Sequence, residues 1–405
     1  MWTGNLSCRL FRAEPPGKAI QTLNAWLHQE PMNTVAVSLY WGLLWMLLAP
    51  LAGAFMLWLA LVQLIWWAVR TYIWPEVSVL AAAQDQGIQL AVVVTGCDTG
   101  FGKDLAARLA EQGFIVFAGC LSESSMKQFA AKGDGDNIRP LLLDVTKEEQ
   151  VTKAAKVVDE WLCASPSKRF LHGIVNNAGI GKVGYMDWIS MQDYEQCMEV
   201  NCFGQIRMVK SLLPILKRQA ISSVGKPFYA PQIINMVSMA GTSRGGMALS
   251  PYEVSKTAAN AFTDGLRLEM KPWGVNVIDI NPSFHTTPLT INIYEKLKQG
   301  LWDPLSDELK EEYGQDFFEG YARHADRMMS QQWDPSITVD AMVNALLSKY
   351  PPTRINVGMD SRFGLLLYSM YPTWLRNLNT QLLMPDQTPA VLRQAKAKST
   401  SKKDD

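Results

Sequence analysis

The chain has 405 residues, with 38 Lys and Arg against 38 Asp and Glu, and 48% of its residues are hydrophobic. This length exceeds one ordinary hydrophobic core, so we expect one large domain with additions, or two domains. The balanced charge excludes nucleic-acid binding through a basic surface. The hydrophobic content excludes a mostly disordered chain.

An apolar run without charged side chains spans residues 31–69 and contains five of the 14 Trp. As a helix it would be roughly 58 Å long, about twice the thickness of the hydrocarbon core of a bilayer. Pro50 and Gly53 interrupt it at the middle. We therefore predict a membrane anchor of two short spans, 33–49 and 53–69, joined by a tight turn. One long helix kinked at Pro50 and a buried core helix are the alternatives.

Charge around this run predicts its orientation. Arg9, Arg12 and Lys18 precede the run, whereas only Arg70 lies close behind it, which places the N-terminus in the cytosol. A hairpin then returns the chain to the cytosol, and six scattered cysteines suit that reducing compartment. Residues 402–405 (KKDD) resemble the dilysine retrieval signal of endoplasmic reticulum membrane proteins, although a solvated charged tail is the simpler alternative.

Short apolar segments alternate with helical patterns after a polar linker at 84–87. Predicted strands cover residues 90–95, 114–118, 139–143, 173–176, 232–237, 275–280 and 354–357, and predicted helices cover 101–111, 148–162, 194–216 and 255–270. This order predicts an α/β fold, a doubly wound parallel sheet of the Rossmann type with about seven strands and helices on both faces.

A glycine-rich turn, TGCDTGFG at 95–102, joins the first predicted strand to the first helix of this fold. Gly96 allows the tight turn, Gly100 lets the backbone approach a pyrophosphate, and Gly102 lets the helix pack on its strand. The helix N-terminus favours an anion. The predicted cofactor-binding residues here are Gly96, Thr99, Gly100, Phe101 and Gly102.

Polar side chains end two further strands. Asp144 follows the third predicted strand, where it could accept a hydrogen bond from an adenine amino group, and Asn176 and Asn177 end the fourth. Because open parallel sheets bind ligands at the carboxyl ends of their strands, we predict that all three bind the cofactor. A helix cap and a polar turn are the respective alternatives.

Tyr252 and Lys256 lie one helical turn apart, so their side chains share a face. A nearby ammonium lowers the pKa of a phenol, and such a Tyr can take the proton of a substrate alcohol while hydride leaves the same carbon. Ser238 lies 14 residues earlier at a strand end, where its hydroxyl can hydrogen-bond the substrate oxygen. Tyr294 and Lys298 have the same spacing without such a serine, and we predict an ordinary helix there.

Asn201, a poor helix former inside a predicted helix, completes a set that resembles the active site of the short-chain dehydrogenase/reductase family. The resemblance covers residues 89–358 and implies the catalytic tetrad Asn201, Ser238, Tyr252 and Lys256. In that family Tyr is the acid/base, Lys lowers its pKa and binds the nicotinamide ribose, Ser orients the substrate oxygen, and Asn holds a water. Thr287 retains a family cofactor contact, whereas Ser283 stands where the family has glycine.

Four segments narrow the resemblance to the retinol dehydrogenases and the type 2 microsomal 17-beta- and 11-beta-hydroxysteroid dehydrogenases: 95–102, 113–121, 197–204 and 301–313. These relatives are membrane-anchored and mostly oxidise secondary or allylic alcohols of steroids and retinoids. The resemblance therefore implies that residues 289–333 form substrate-covering helices.

Charge beside the glycine turn bears on the choice of cofactor. A 2′-phosphate requires Lys or Arg beside the turn or just after the second strand, and positions 99 and 119–121 carry neither. Glu123 could accept from a ribose hydroxyl, while Lys103 favours NADP. We predict NAD, with NADP less favoured, and hence oxidation. The four His show no metal-ligand spacing, so we predict no metal, and His285 is a candidate for lining the substrate pocket.

The predicted organisation is a polar leader (1–30), a membrane anchor (31–69), a linker (70–88), an NAD-binding catalytic domain (89–288), substrate-covering helices with the last strand (289–358), and an amphipathic membrane-associated segment with a polar tail (359–405). The predicted function is oxidation of a steroid, retinoid or similar lipid alcohol by a protein of the endoplasmic reticulum membrane. An NADPH-dependent reductase of lipid ketones and a catalytically silent nucleotide-binding module remain alternatives. The predicted partners are the lipophilic alcohol, the membrane and a second copy of the chain in a homodimer, and not nucleic acid.

Overall fold

The computed structural model describes residues 58, 61–62, 64–65, 78–131, 137–223, 230–242, 248–330, 332–364, 372–377 and 388–401. The chain divides into two compact units, Met1–Glu76 and Val77–Asp405.

Five residues of the first unit are described, and all five are helical with large exposed apolar side chains: Trp58, Leu61, Val62, Leu64 and Ile65. The rest of the predicted anchor at 31–69 lies outside the described residues, so the hairpin and the kinked single helix both stay predictions. Across the part of the chain that is described, no helix combines the length and the apolar character needed to cross a bilayer.

Seven parallel strands form the sheet of the second unit, which confirms the predicted Rossmann-type sheet. The strands are β1 (Gln89–Thr95), β2 (Ile115–Cys120), β3 (Ile138–Leu142), β4 (Arg169–Asn176), β5 (Gln232–Met236), β6 (Asn276–Pro282) and β7 (Arg354–Val357). Their spatial order is β3-β2-β1-β4-β5-β6-β7. The order reverses between β1 and β4, and this switch point is where such sheets bind ligands.

Helices cover both faces of the sheet, and further helices form a separate layer. They are α1 (Val79–Gln84), α2 (Gly100–Gln112), α3 (Glu123–Ala131), α4 (Glu148–Cys163), α5 (Met191–Met198), α6 (Gly204–Ser222), α7 (Ser250–Met270), α8 (Ile293–Leu297), α9 (Asp307–Tyr313), α10 (Gln315–Ser330), α11 (Ser336–Leu347) and α12 (Ala390–Ser401). Successive side chains of β1 enter different cores. Val92 packs with residues of α1, α2 and α11, whereas Val93 packs with residues of α4, α6 and α7.

A third, aromatic cluster is formed by residues of α8 and α10 with the loops beside them. Trp302 stacks on Phe318 with ring centroids 4.8 Å apart, and Trp188 meets Trp302 edge-on at 5.4 Å. Tyr185 packs edge-on against Trp188 at 4.8 Å. Such contacts stabilise a small helical layer that has no sheet of its own to pack on.

One local expectation differs from the structure. The single helix predicted over 194–216 is divided into α5 and α6 by a π-helical turn, Glu199–Phe203. Within the predicted membrane-associated segment and tail at 359–405, helix α12 runs to Ser401 with exposed side chains at 391–399. Residues 365–371 and 378–387 of that segment lie outside the described residues, and Trp374 is 67% exposed.

Candidate active site

The glycine turn after β1 is packed too tightly for side chains. Gly96 has φ +70°, and a Cβ there would lie 2.8 Å from Cα of Ala178. At Gly102 a Cβ would meet the carbonyl oxygen of Gly96 and lie 2.5 Å from Nδ2 of Asn177. Only glycine permits both this turn and the contact between α2 and the end of β4.

Asn177 fixes the turn from the neighbouring strand. Its Nδ2 donates to the carbonyl oxygens of Thr95 (2.9 Å) and Gly96 (3.2 Å). In return, Oγ1 of Thr95 accepts from the backbone N–H groups of Asn177 and Ala178, each at 3.0 Å. The carboxyl ends of β1 and β4 are thereby joined at the switch point of the sheet.

Asn176 lies inside the sheet layer instead. It is 1% exposed, and its Nδ2 donates to Oδ1 of Asn235 on β5 at 2.8 Å. Asn235 donates in turn to Oγ1 of Thr263 on α7 at 2.9 Å. This series of hydrogen bonds connects β4 and β5 to α7, the helix that carries Tyr252.

The start of α2 fits a dinucleotide pyrophosphate. Thr99, at the N-cap, is exposed and makes no side-chain capping bond, and no acidic residue lies in the first turn. The backbone N–H groups of the first turn of α2, at the positive end of the helix dipole, therefore have no side chain that competes with an anion for them. Gly100 has φ +58°, and a Cβ there would lie 3.7 Å from Cδ of Pro288 and 4.0 Å from Cβ of Thr287, so Thr287 faces this turn across a narrow gap.

Asp144 is half-buried at the end of β3. Its Oδ1 accepts from the backbone N–H of Thr146 (2.9 Å) and from its hydroxyl (2.8 Å), which closes a local turn. This is the capping kind of contact that the sequence left open as an alternative.

Tyr252 and Ser238 come together as the sequence predicts. Ser238 caps a short turn after β5, where its Oγ accepts from the N–H of Ala240 at 3.2 Å. The Ser238 side chain lies close enough to the Tyr252 hydroxyl to lower its pKa, against the effect of burial. A substrate oxygen that binds both hydroxyl groups is therefore held at one point.

Lys256 is 4% exposed, and its Nζ donates to the carbonyl oxygen of Met236 at the end of β5 at 2.9 Å. The ammonium lies 5.8 Å from the centroid of the Tyr252 ring. Burial lowers the pKa of Lys256 from 10.5 to about 8. Burial also raises the pKa of Tyr252, the Ser238 side chain lowers it, and nearby Cys197 raises it further. That Lys256 lowers this pKa stays a prediction.

Asn201 lies in the π-helical turn and is fully buried. Its Oδ1 accepts from the N–H of Ile180 (2.8 Å), and its Nδ2 donates to the carbonyl oxygen of Ile180 (2.9 Å) and to Oγ of Ser255 (2.9 Å). A Cβ on Gly179 would lie 3.3 Å from Oδ1 of Asn201 and 3.5 Å from Nζ of Lys256. The widened turn thus aims Asn201 at the loop after β4, next to the lysine, as π-bulges at functional sites often do.

Sequence reasoning missed two residues of this site. Ser255 accepts from Asn201 and donates to the carbonyl oxygen of Tyr252 at 2.7 Å. Gln205 is 2% exposed, and its Nε2 donates to the carbonyl oxygen of Met236 at 3.1 Å, the same acceptor that Lys256 uses. Their positions in the sequence could have indicated both residues, because Gln205 lies one helical turn after Asn201 and Ser255 directly precedes Lys256.

His285 does not line a substrate pocket. It is 2% exposed, its Nδ1 lies 3.0 Å from the carbonyl oxygen of Ser283, and its Nε2 lies 3.1 Å from Oγ1 of Thr338. Its ring packs edge-on against Phe101 at 5.6 Å. His285 therefore links the turn-bearing end of α2 to the segment after β6.

Tyr294, of the second Tyr and Lys pair, packs against the aromatic cluster. The hydroxyl of Tyr294 on α8 donates to Oε1 of Glu319 on α10 at 2.9 Å. Within the described ranges, no group of three or more His, Cys, Asp or Glu is arranged to hold a metal ion.

Known proteins resemble this chain in both sequence and fold. The family described as short chain dehydrogenase matches residues 90–298. The 3beta-hydroxysteroid dehydrogenase dhs-16 of Caenorhabditis elegans is 35% identical over 315 residues, which are 74% of this chain and 78% of that protein. Retinol dehydrogenase 16 of Rattus norvegicus is 32% identical over 324 residues, which are 79% of this chain and 95% of that protein.

A crystal structure of a short chain dehydrogenase from Burkholderia cenocepacia in complex with NADP superposes with a TM-score of 0.53. It is 22% identical, and the alignment covers 74% of this chain and 99% of the other. This likeness concerns the fold.

Proposed function

We propose that this chain oxidises a hydroxyl group of a steroid, retinoid or similar lipid with NAD. The chain belongs to the short-chain dehydrogenase family of oxidoreductases, and its relatives include retinol and hydroxysteroid dehydrogenases. The observation that carries the proposal is the buried Lys256 ammonium, one helical turn from Tyr252 and 5.8 Å from the centroid of its ring, with buried Ser238 near the phenol. This arrangement suits proton removal from an alcohol.

In the proposed reaction, the substrate hydroxyl binds between Tyr252 and Ser238. Tyr252 first releases its own proton and, as the phenolate, takes the proton of the substrate hydroxyl, while Ser238 donates a hydrogen bond to the oxygen as charge develops there. Lys256, with a pKa of about 8, exchanges protons readily near neutral pH and passes the proton away from Tyr252. A bound NAD supplies the hydride acceptor.

The proposed cofactor site runs along the carboxyl ends of β1, β2, β3 and β4. Gly96, Gly100 and Gly102 give the pyrophosphate access to the start of α2, and Thr99 and Phe101 flank it. Asp144 lies at the adenine end, while Thr287, Tyr252 and Lys256 lie at the nicotinamide end. Asn177 holds the turn in place, and Asn176 supports the strands beneath it.

A lipid substrate is supported by the aromatic layer over residues 289–333 and by the apolar run at 31–69. Trp188, Trp302 and Phe318 form the buried aromatic core of the proposed covering layer. We further propose that the run at 31–69 anchors the protein in the endoplasmic reticulum membrane with its catalytic domain in the cytosol. An N-glycosylation site added after residue 405 should then stay unmodified, and its modification would contradict the hairpin.

A substrate panel tests the proposal. Membranes from cells that express the full chain are assayed with all-trans-retinol, a hydroxysteroid and a small water-soluble secondary alcohol, each with NAD and with NADP. We expect reduced cofactor from the lipid alcohols with NAD, and little from the small alcohol. Turnover of the small alcohol alone would refute the lipid assignment. Turnover only with NADPH and a lipid ketone would favour a reductase.

A further inference from the structure

The glycine turn and the end of β2 meet at an unusual junction. The backbone N–H of Cys97 in the turn donates to the carbonyl oxygen of Gly119 in β2 at 2.9 Å. In Rossmann folds the end of the second strand recognises the adenosine ribose, with an acidic residue for the 2′-hydroxyl or a basic one for a 2′-phosphate. Here Cys120, Leu121 and Ser122 occupy this place, and none of them is charged.

Asp98, from the glycine turn itself, supplies a carboxylate at this junction. Its Oδ2 accepts from the backbone N–H of Leu121 at 2.8 Å. Its Oδ1 accepts from the backbone N–H of Ser122 at 3.1 Å and from the Ser122 hydroxyl at 3.3 Å. Consecutive backbone N–H groups of this kind form a concave site for an anion. In this chain the carboxylate of Asp98 fills it.

The charge on Asp98 persists at neutral pH. Burial by itself would raise the pKa of this carboxyl group, but the hydrogen bonds from Leu121, Ser125 and Ser122 together lower it below its usual value. Lys103, the nearest basic residue in the sequence, donates to Oε1 of Gln128 on α3 at 3.2 Å. The backbone N–H groups of Leu121 and Ser122 therefore already donate to the negatively charged side chain of Asp98.

We propose that Asp98 determines cofactor specificity by excluding the 2′-phosphate of NADP from the end of β2. The inference rests on the proposed NAD-dependent function. A phosphate carries about −1.5 to −2 charges at neutral pH, so it meets a like charge and finds its backbone donors already bonded. A neutral 2′-hydroxyl avoids the repulsion and can donate to the carboxylate. The selective carboxylate thus comes from the glycine turn and not from the second strand.

Adenosine fragments test this without relying on catalysis. Equilibrium binding of 5′-AMP and 2′,5′-ADP is measured on the full chain in detergent micelles, for the wild type, Asp98→Asn and Asp104→Asn. Asp104 lies on exposed surface of α2, so its replacement removes the same charge from the same region. We expect the preference for 5′-AMP to fall about tenfold in Asp98→Asn, as the loss of a partly screened charge contact predicts, and to stay unchanged in Asp104→Asn.

Three results would overturn the proposal. Affinity for both fragments could fall in parallel in Asp98→Asn, which would leave Asp98 with a structural role only. The preference could stay as in the wild type. Finally, Glu123→Gln could abolish the preference while Asp98→Asn does not, which would assign selectivity to the first residue of α3.

A salt series on the wild type covers the case in which Asp98→Asn does not fold. Between about 0.01 M and about 1 M salt the screening length falls from about 30 Å to about 3 Å, so discrimination by charge must shrink. A preference that does not respond to salt overturns the proposal. Absence of alcohol oxidation would instead refute the proposed function, and it would leave the fragment affinities unaffected.

Discussion

Replacing Lys256 with Met should stabilise the protein at neutral pH while abolishing its proposed activity. Lys256 is 4% exposed and donates to the carbonyl oxygen of Met236. Gln205 donates to the same oxygen at 3.1 Å, so this acceptor keeps a partner when the lysine is removed. The substitution therefore removes a buried charge and leaves no buried carbonyl without a donor.

The magnitude follows from the pKa of Lys256, which burial lowers from 10.5 to about 8. A difference of about 2.5 corresponds to about 3 kcal/mol of destabilisation by the buried ammonium. Because the folded protein binds the proton more weakly, this cost is complete below about pH 8 and disappears as the pH rises toward 10.5. The lost hydrogen bond offsets about 1 kcal/mol, which leaves a net stabilisation of about 2 kcal/mol at pH 7.

Urea unfolding of the full chain in detergent micelles, followed by tryptophan fluorescence at pH 7 and at about pH 10, measures this effect. The advantage of Lys256→Met over the wild type should shrink between the two pH values. Lys298→Met is the matched control, since Lys298 is half-buried and belongs to the second Tyr and Lys pair. A loss of stability in Lys256→Met at pH 7, or a difference independent of pH, would refute the reasoning.

Two further substitutions test the glycine turn. Gly102→Ala should abolish cofactor binding and destabilise the protein by about 1–3 kcal/mol, because its Cβ meets the carbonyl of Gly96. Gly265→Ala, at an open position in α7, should instead stabilise the protein by about 0.5–1 kcal/mol, with both variants measured by the urea unfolding described above. Asn177→Asp replaces the donor to the carbonyl oxygens of Thr95 and Gly96 with a carboxylate, which repels them. Titration with NAD should therefore show weaker binding, and urea unfolding should show that the free energy of unfolding falls by about 1–3 kcal/mol. Unchanged NAD affinity in that variant would show that the clamp between β4 and the turn does not shape the cofactor site.

The strands were predictable because both faces of this sheet are buried. In β1 every residue after Gln89 is buried, so the sequence LAVVVT reads as one continuous apolar run. The last strand, Arg354–Val357, was predicted with its observed bounds. Helix α11 was missed although it contributes Val339 and Met342 to the core, because its apolar residues lack a clear helical period.

Part of the candidate site was predictable from the sequence, but Ser255, Gln205 and the contacts within the site were not. Tyr252, Lys256 and Ser238 could be recognised from spacing and from a strand end. The π-helical turn that carries Asn201, and the bond from Lys256 to Met236, depend on how α6 and α7 pack against β5. Such contacts join residues distant in sequence, and neither residue type nor local period encodes them.

The two Tyr and Lys pairs provide the most direct test of the central claim, that Tyr252 is the acid/base of a lipid alcohol dehydrogenase. Initial rates of NADH formation from retinol or a hydroxysteroid are compared for the wild type, Tyr252→Phe and Tyr294→Phe, each of which loses one hydroxyl group. We expect a loss of at least about 100-fold in Tyr252→Phe and a near wild-type rate in Tyr294→Phe. Turnover by Tyr252→Phe at the wild-type rate would contradict the central claim.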